Sequence, residues 1–132
     1  MRRVLFVLMA FMVFNYSCKE EKQTSSAIEV ISPQEMQEIS QIEGVQLVDV
    51  RTPEEYEEGY IEGFQNIDYF SENFNQEIEK LDKSKPVIVY CKSGNRSGKC
   101  AKKMEEAGFS KIYDLEGGIT KWEFEGYEIR VN

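Results

Sequence analysis

The residues with the clearest chemical potential form a short loop between an apolar strand and a helix. The loop carries one cysteine, one glycine and two basic residues, in the order Cys91-Lys92-Ser93-Gly94-Asn95-Arg96-Ser97. Gly94 and Asn95 both tolerate a left-handed backbone, so the loop can curl with several amide N–H groups pointing inward. The next helix adds its unpaired N–H groups and the positive end of its dipole. The sequence therefore predicts a small anion-binding cradle with the sulfur of Cys91 at its edge.

Such a cradle favours the thiolate of Cys91 over the thiol. The loop amides, the helix end and the charges of Lys92 and Arg96 would all stabilise a negative charge on sulfur. A thiolate is the nucleophilic form of cysteine, so Cys91 could react without a histidine base. The alternative is that Cys91 only packs at a strand end and that Lys92 and Arg96 are ordinary solvated charges.

The composition excludes several other classes of function. The 132-residue chain has no histidine, which removes Ser-His-Asp and Cys-His nucleophile pairs and histidine-bound metals. Its 24 acidic and 16 basic residues give a net charge of −8, whereas a general nucleic-acid-binding protein needs a basic surface. The three cysteines form no metal-ligand cluster. We predict no metal site, no cofactor and no nucleic-acid partner.

The first 17 residues are typical of a bacterial export signal. Arg2 and Arg3 precede an apolar run over 4–14, which is shorter than the roughly 20 residues a bilayer-spanning helix needs. The following Asn15-Tyr16-Ser17-Cys18 resembles the end of a lipoprotein signal peptide, in which the cysteine becomes the first mature residue and carries lipid. An uncleaved anchor and a soluble secreted form are the alternatives.

This interpretation divides the chain into a signal peptide (1–17), a polar tether (18–27) and one domain (28–132). Removing the signal peptide leaves 115 residues with 14 basic and 24 acidic side chains, a net charge of −10. We expect the mature protein to be exported and held by lipid on Cys18 to a membrane of the bacterial cell envelope. It would lie on the periplasmic side or in the outer membrane.

The body of the chain alternates short apolar strands with helical segments. This alternation predicts a single α/β domain built on an open parallel sheet with helices on both faces. We predict strands at 28–31, 46–50, 86–90 and 111–115, and helices within 32–44, 52–59, 71–81, 97–107 and 119–125. In the first helix Met36, Ile39 and Ile42 fall at helical spacing, and Gly44 is expected to end the helix.

Three ordered motifs resemble those of the single-domain rhodaneses, a family of sulfurtransferases. The loop 91–97 resembles their active-site loop, and Leu-Val-Asp-Val-Arg-Thr-Pro-Glu-Glu-Tyr at 47–56 resembles their first signature. Gly-Phe at 108–109, Leu-Glu-Gly-Gly-Ile at 115–119 and Trp122 resemble their C-terminal signature. The likeness covers about residues 28–129 and implies the rhodanese-like fold.

The resemblance implies that Cys91 takes a sulfane sulfur and holds it as a persulfide. It implies that the outer sulfur is bound by the loop residues Lys92, Ser93, Gly94, Asn95, Arg96 and Ser97. Lys92 and Arg96 would also attract an anionic donor, and Asp49 and Arg51 would support the loop from the neighbouring strand. The implied partners are a small donor, such as thiosulfate, a persulfide or a polysulfide, and a thiol or cyanide acceptor.

Some features leave other functions open. Tyr60 and Glu62 replace the histidine and proline that the family usually has in Gly-His-Ile-Pro-Gly. Four residues separate Cys91 from Arg96, one fewer than in the related phosphatases, which favours a single sulfur over a phosphate.

Two further hypotheses are a non-catalytic rhodanese-like binding module and a thiol redox protein using Cys91 and Cys100. We expect Cys100 to serve in packing.

Overall fold

The computed structural model describes residues 26–132. The signal peptide, Cys18 and most of the predicted tether lie outside these residues. The strands are β1 (Ile28–Ile31), β2 (Gln46–Asp49), β3 (Gln65–Asn66), β4 (Val87–Tyr90) and β5 (Ile112–Leu115). The helices are α1 (Pro33–Ile39), α2 (Pro53–Glu58), α3 (Phe74–Glu79), α4 (Asn95–Glu106) and α5 (Gly118–Phe124).

The five strands form one parallel sheet in the order β1-β5-β4-β2-β3, with helices packed on both faces. Because side chains alternate along a strand, the central strand β4 contributes to two separate cores. Val87 and Val89 pack with residues of α3 and α4, and Ile88 and Tyr90 pack with residues of α1 and α5. The predicted α/β architecture is confirmed.

Capping boxes begin α1 and α2. The hydroxyls of Ser32 and Thr52 accept hydrogen bonds from the backbone N–H of Glu35 and Glu55, and each glutamate carboxylate accepts one back. A proline occupies the first position of both helices, where its missing N–H costs nothing. In α2 this fixes the Glu55 carboxylate just beyond the carboxyl end of β2.

Several boundaries differ from the predicted ones. Helix α1 ends at Ile39, where the Ser40 hydroxyl donates to the Gln37 carbonyl and so competes with the helix backbone. Ile42 therefore lies outside the helix and is 58% exposed, not on a buried stripe. Helix α4 begins two residues before the predicted start.

The segment 65–74 also departs from the prediction. Strand β3 has only two residues, too few to leave a periodic pattern, and it pairs with the end of β2. The predicted helix at 71–81 shortens to α3 because Ser71 forms a local turn, its hydroxyl accepting from the Asn73 N–H at 3.1 Å.

The two edges of the sheet serve different purposes. Ser26 Oγ and Ala27 N both donate to Glu105 Oε2, at 2.8 and 2.7 Å, and attach the start of the described chain near the amino edge. At the opposite edge the ends of β2 and β4 are adjacent, with Val50 N donating to Tyr90 O at 2.9 Å. Ligands of open parallel sheets bind at this carboxyl edge, where the Cys91 loop lies.

Within residues 26–132, no helix is long and apolar enough to cross a membrane.

Candidate active site

Cys91 follows β4 directly and is almost completely buried, with 1% of its surface exposed. Its Sγ accepts a hydrogen bond from the Gly94 N–H at 3.0 Å. Gly94 has φ +105°, a conformation that residues with a side chain rarely adopt, and this value turns the chain back toward the sulfur. The loop therefore curls around Cys91 and enters α4 immediately afterwards.

Helix α5 holds the back of this loop. Ile119 N donates to Cys91 O at 2.9 Å, and Thr120 N donates to Lys92 O at 3.0 Å. In a trans peptide the C=O and the following N–H point in opposite directions. The N–H groups of Lys92 and Ser93 therefore point away from α5.

This contact requires glycine at the start of α5. A Cβ atom on Gly118 would lie 2.4 Å from Cys91 O and 2.5 Å from Lys92 O. The residue also has φ +59°, in the left-handed region. Gly118 thus lets α5 approach the loop backbone closely enough to bond it.

Arg96 is bound to a residue that the sequence did not identify as part of the site. Its guanidinium forms two hydrogen bonds with the Glu55 carboxylate, Nη1–Oε1 at 2.6 Å and Nη2–Oε2 at 2.9 Å. The bond to Arg96 lowers the pKa of Glu55 to about 2. The capping box at Thr52 was the available signal, because it places Glu55 at the carboxyl edge of the sheet.

The ion pair compensates most of the positive charge of Arg96 and ties the loop to α2. Lys92, by contrast, is exposed and makes no ion pair within residues 26–132. Of the two basic residues predicted to attract an anionic donor, Lys92 therefore keeps its charge available to solvent.

An exposed aromatic ring lies at the rim of the site. The guanidinium carbon of Arg96 is 5.6 Å from the ring centroid of Phe70, which is 66% exposed. Two hydrogen bonds hold this segment: Tyr69 N donates to Val50 O, and Phe70 N donates to Asp68 Oδ1. No periodic pattern marked Phe70, since it lies in an irregular loop.

Asp49 and Arg51 form a buried hydrogen-bond network with Tyr90, the residue that precedes Cys91. Arg51 Nη2 donates to Asp49 Oδ2 and to Gly59 O, both at 2.7 Å. The Tyr90 hydroxyl donates to Asp49 Oδ2 at 2.6 Å. Burial and the charge of Asp49 raise the pKa of Tyr90, which keeps its hydroxyl protonated and able to donate. The network connects the ends of β2 and β4 and does not contact the sulfur.

The remaining loop residues separate into one buried and two exposed. Ser97 is fully buried, and its hydroxyl donates to Gly94 O at 3.3 Å. Ser93 and Asn95 are exposed, and neither side chain is hydrogen-bonded to the described part of the chain.

An open cavity of about 230 Å³ adjoins the loop. Lys92 is the loop residue that lines it, together with three glutamates, Glu55, Glu58 and Glu123. Ile119 and Ile129 give it an apolar wall. The cavity is large enough for a small sulfur compound next to the cradle.

Cys100 lies inside α4 with no exposed surface, 3.7 Å from the sulfur of Met104. Burial, together with the charge of Asp114, raises the pKa of its thiol to about 12. Neither Cys91 nor Cys100 forms a disulfide. Cys100 therefore packs in the core, where burial disfavours its thiolate.

The fold and the loop together define an α/β protein with a buried cysteine in a curled loop after the central strand. Residues 32–125 match the family described as the rhodanese-like domain. The chain belongs to this family.

Individual relatives agree with this assignment. The chain is 37% identical over 92 residues to a thiosulfate sulfurtransferase GlpE of Ectopseudomonas mendocina, covering 70% of this chain and 82% of the relative. It is 40% identical over 77 residues to the uncharacterised protein YqhL of Bacillus subtilis, covering 58% of this chain but only 60% of the relative's length. The polysulfide-sulfur transferase homodimer of Wolinella succinogenes superposes with a TM-score of 0.68 at 29% identity, covering 80% of each chain.

Proposed function

We propose that this protein is a sulfurtransferase that carries a sulfane sulfur on Cys91. The observation that carries the proposal is the Cys91 sulfur inside a curled loop, accepting the Gly94 N–H at 3.0 Å. The names of two relatives, a thiosulfate sulfurtransferase and a polysulfide-sulfur transferase, support thiosulfate or a polysulfide as the donor class.

In the first half-reaction the Cys91 thiolate attacks the outer sulfur of the donor. A new S–S bond forms to Sγ as the donor's own bond breaks, and the leaving group departs with the electron pair, as sulfite when the donor is thiosulfate. The terminal sulfur of the resulting persulfide carries negative charge. The loop N–H groups and the start of α4 stabilise that charge.

In the second half-reaction an acceptor thiolate or cyanide attacks the terminal sulfur. The S–S bond to Cys91 breaks, and the thiolate of Cys91 leaves as the free nucleophile. The cycle is ping-pong and needs no histidine, because no step requires an imidazole base.

Steady-state turnover with a panel of substrates tests this proposal. Thiosulfate, polysulfide and glutathione persulfide serve as donors, with cyanide or a small thiol as the acceptor. We expect Cys91→Ala to abolish turnover and Cys100→Ala to retain it. Wild-type turnover no faster than that of Cys91→Ala with every donor would overturn the proposal.

We further propose that the protein is exported and anchored through lipid on Cys18. The support is the basic and apolar sequence of residues 1–17 followed by Cys18. The described chain begins near the amino edge of the sheet, so an anchored domain would present the Cys91 loop away from its attachment. Metabolic lipid labelling should mark the wild type and not Cys18→Ala; equal labelling of both would contradict the anchor.

A further inference from the structure

The structure contains a buried acidic residue without an ion pair that the proposed reaction does not use. Asp114, in β5, is 7% exposed. Within residues 26–132 its Oδ1 is the one buried side-chain nitrogen or oxygen without a hydrogen-bond partner. Burial raises the pKa of the Asp114 carboxyl, and a hydrogen bond with Ser97 opposes that shift. A buried acidic group with an unsatisfied oxygen is costly, so its position needs a physical explanation.

Asp114 lies behind the nucleophile. It pairs in register with Val89, two residues before Cys91, and Cys91 belongs to the same core as Val89. From the spacing of paired strands and the rise per residue, the Cα atoms of Asp114 and Cys91 are about 8 Å apart. The interior between them screens charge much less than water does.

The first turns of α4 cover the carboxylate. Its Oδ2 lies 3.6 Å from the position that a Cβ atom on Gly98 would occupy. The Ser97 hydroxyl, which also bonds the Gly94 carbonyl of the loop, is the nearby polar group. Asp114 is therefore separated from the cradle by a single turn of helix.

Few other ionisable groups surround this carboxylate. Cys91 follows β4, and Cys100 faces Asp114 from α4. Lys103, further along α4, places its ammonium over the rings of Tyr69 and Phe74, at 4.8 and 5.4 Å. The β1 neighbour is the uncharged Val30. Asp114 thus has no ion pair within the described chain.

We propose that Asp114 is a positioning residue whose buried negative charge opposes the thiolate of Cys91 and sets the pH range in which Cys91 reacts. The inference rests on the proposed sulfur transfer. The cradle stabilises negative charge on sulfur, and a thiolate that is stabilised too strongly loses nucleophilicity. Asp114 counteracts part of that stabilisation and keeps both the thiolate and the persulfide reactive.

The pH dependence of Cys91 alkylation tests this role. Iodoacetamide rates are measured between about pH 5 and pH 10, a range that spans ordinary cysteine ionisation. The measurement uses Cys18→Ala/Cys100→Ala protein, so that Cys91 is the one remaining thiol. Asp114→Asn keeps the shape and removes the charge, and we expect the midpoint to fall by about one pH unit. Asp82→Asn, an exposed aspartate at the other edge of the sheet, should leave the midpoint unchanged.

The inference would be overturned if the alkylation rate of the Asp114→Asn variant depended on pH in the same way as that of the protein that retains Asp114. If the asparagine variant does not fold, Asp114→Ser removes the same charge and must show the same downward shift. Sulfur transfer is measured in parallel. Normal transfer without a shift refutes the role of Asp114 alone, whereas a shift without any transfer by wild-type protein refutes the proposed function and leaves the electrostatic coupling standing.

Discussion

At the scale of single residues, the pairing of Arg96 with Glu55 changes how the cradle works. An unpaired Arg96 would add a full positive charge to the loop, but its guanidinium is bound at 2.6 and 2.9 Å by a carboxylate. The Gly94 amide, the start of α4 and the exposed Lys92 therefore provide most of the local attraction for an anionic sulfur. Arg96 mainly fixes the loop against α2.

Replacing Glu55 with glutamine should destabilise the fold in a pH-dependent manner. The pKa of Glu55 is lowered to about 2, so its stabilising effect is complete above the ordinary carboxyl pKa and is lost as pH falls toward 2. Because the pair remains partly in water, we expect a loss of about 1–2 kcal/mol in the free energy of unfolding at neutral pH.

Urea unfolding of the wild type and Glu55→Gln from neutral to acid pH measures this difference. The difference in the free energy of unfolding between the two proteins should become smaller as the pH approaches 2. Glu54→Gln, on the same turn of α2 and exposed, is the matched control and should change little. If this difference in the free energy of unfolding stays constant with pH, Glu55 does not act through its charge.

The sequence could identify Cys91 and Gly94, but it placed Glu55 only in a capping box and gave no sign of Asp114. The first two are chemically distinctive and lie within four residues of each other. Glu55 is 36 residues before Cys91, and Asp114 is one of 24 acidic residues with no local sign of burial. Contacts over such separations depend on the register of β2, β4 and β5, which no local pattern encodes.

At the scale of elements, α5 is part of the site through its backbone. Its first N–H groups bond the carbonyls of Cys91 and Lys92 and so orient the loop peptides. The helix can do this because Gly118 has no side chain to collide with the loop. Gly118 therefore contributes to the geometry of the cradle.

Substituting alanine for Gly118 should impair both stability and sulfur transfer. The new Cβ would overlap the Cys91 carbonyl, so the loop or α5 must move, and we expect a loss of about 3 kcal/mol or more in the free energy of unfolding. Turnover should fall at least tenfold in protein that remains folded, because the loop amides lose their alignment.

Gly126→Ala is the matched control for backbone strain. Gly126 also has a positive φ, +86°, but a Cβ there meets nothing within 4 Å. This variant should lose only about 1–2 kcal/mol and keep its turnover. Thermal unfolding and steady-state kinetics measure both variants. If Gly118→Ala and Gly126→Ala lose the same stability and turnover, the close approach of α5 to the loop is unimportant.

At the scale of the whole molecule, the alternation of strands and helices predicted the fold, and the strand order came only from the structure. Most elements follow from local signals such as the capping boxes at Ser32 and Thr52. The C-terminal segment shows what such signals miss. Tyr60 and Arg130 form a backbone bridge at 2.9 and 2.7 Å, and the Tyr60 ring stacks on Tyr56 with centroids 4.4 Å apart.

The side chains of Tyr60 and Glu62, the two departures from the family motif, flank this backbone bridge, Tyr60 by stacking on Tyr56. Glu62 pairs with Arg130, and the Trp122 indole N–H donates to Glu128 O at 2.9 Å. The last residues thus fasten the connection after α2 to α5. The sequence could not show this, since the bridge joins segments 70 residues apart.

Removing residues 127–132 should therefore cost about 2–3 kcal/mol in the free energy of unfolding, through lost apolar burial and the lost stack of Tyr127 on Trp122. Removing only residues 131–132, which are exposed, should leave stability nearly unchanged. Urea unfolding measures the free energy of unfolding of the two truncated proteins. Equal stability of both would mean that the terminal bridge contributes nothing.

The central claim is that Cys91 carries the sulfur, and intact mass spectrometry tests it most directly. The protein is incubated with thiosulfate without an acceptor, freed of small molecules and weighed, and the modified peptide is then mapped. We predict one added sulfur atom on Cys91 in the wild type and in Cys100→Ala, and none in Cys91→Ser. An unmodified wild type, or a sulfur that remains after Cys91 is replaced, would contradict the claim.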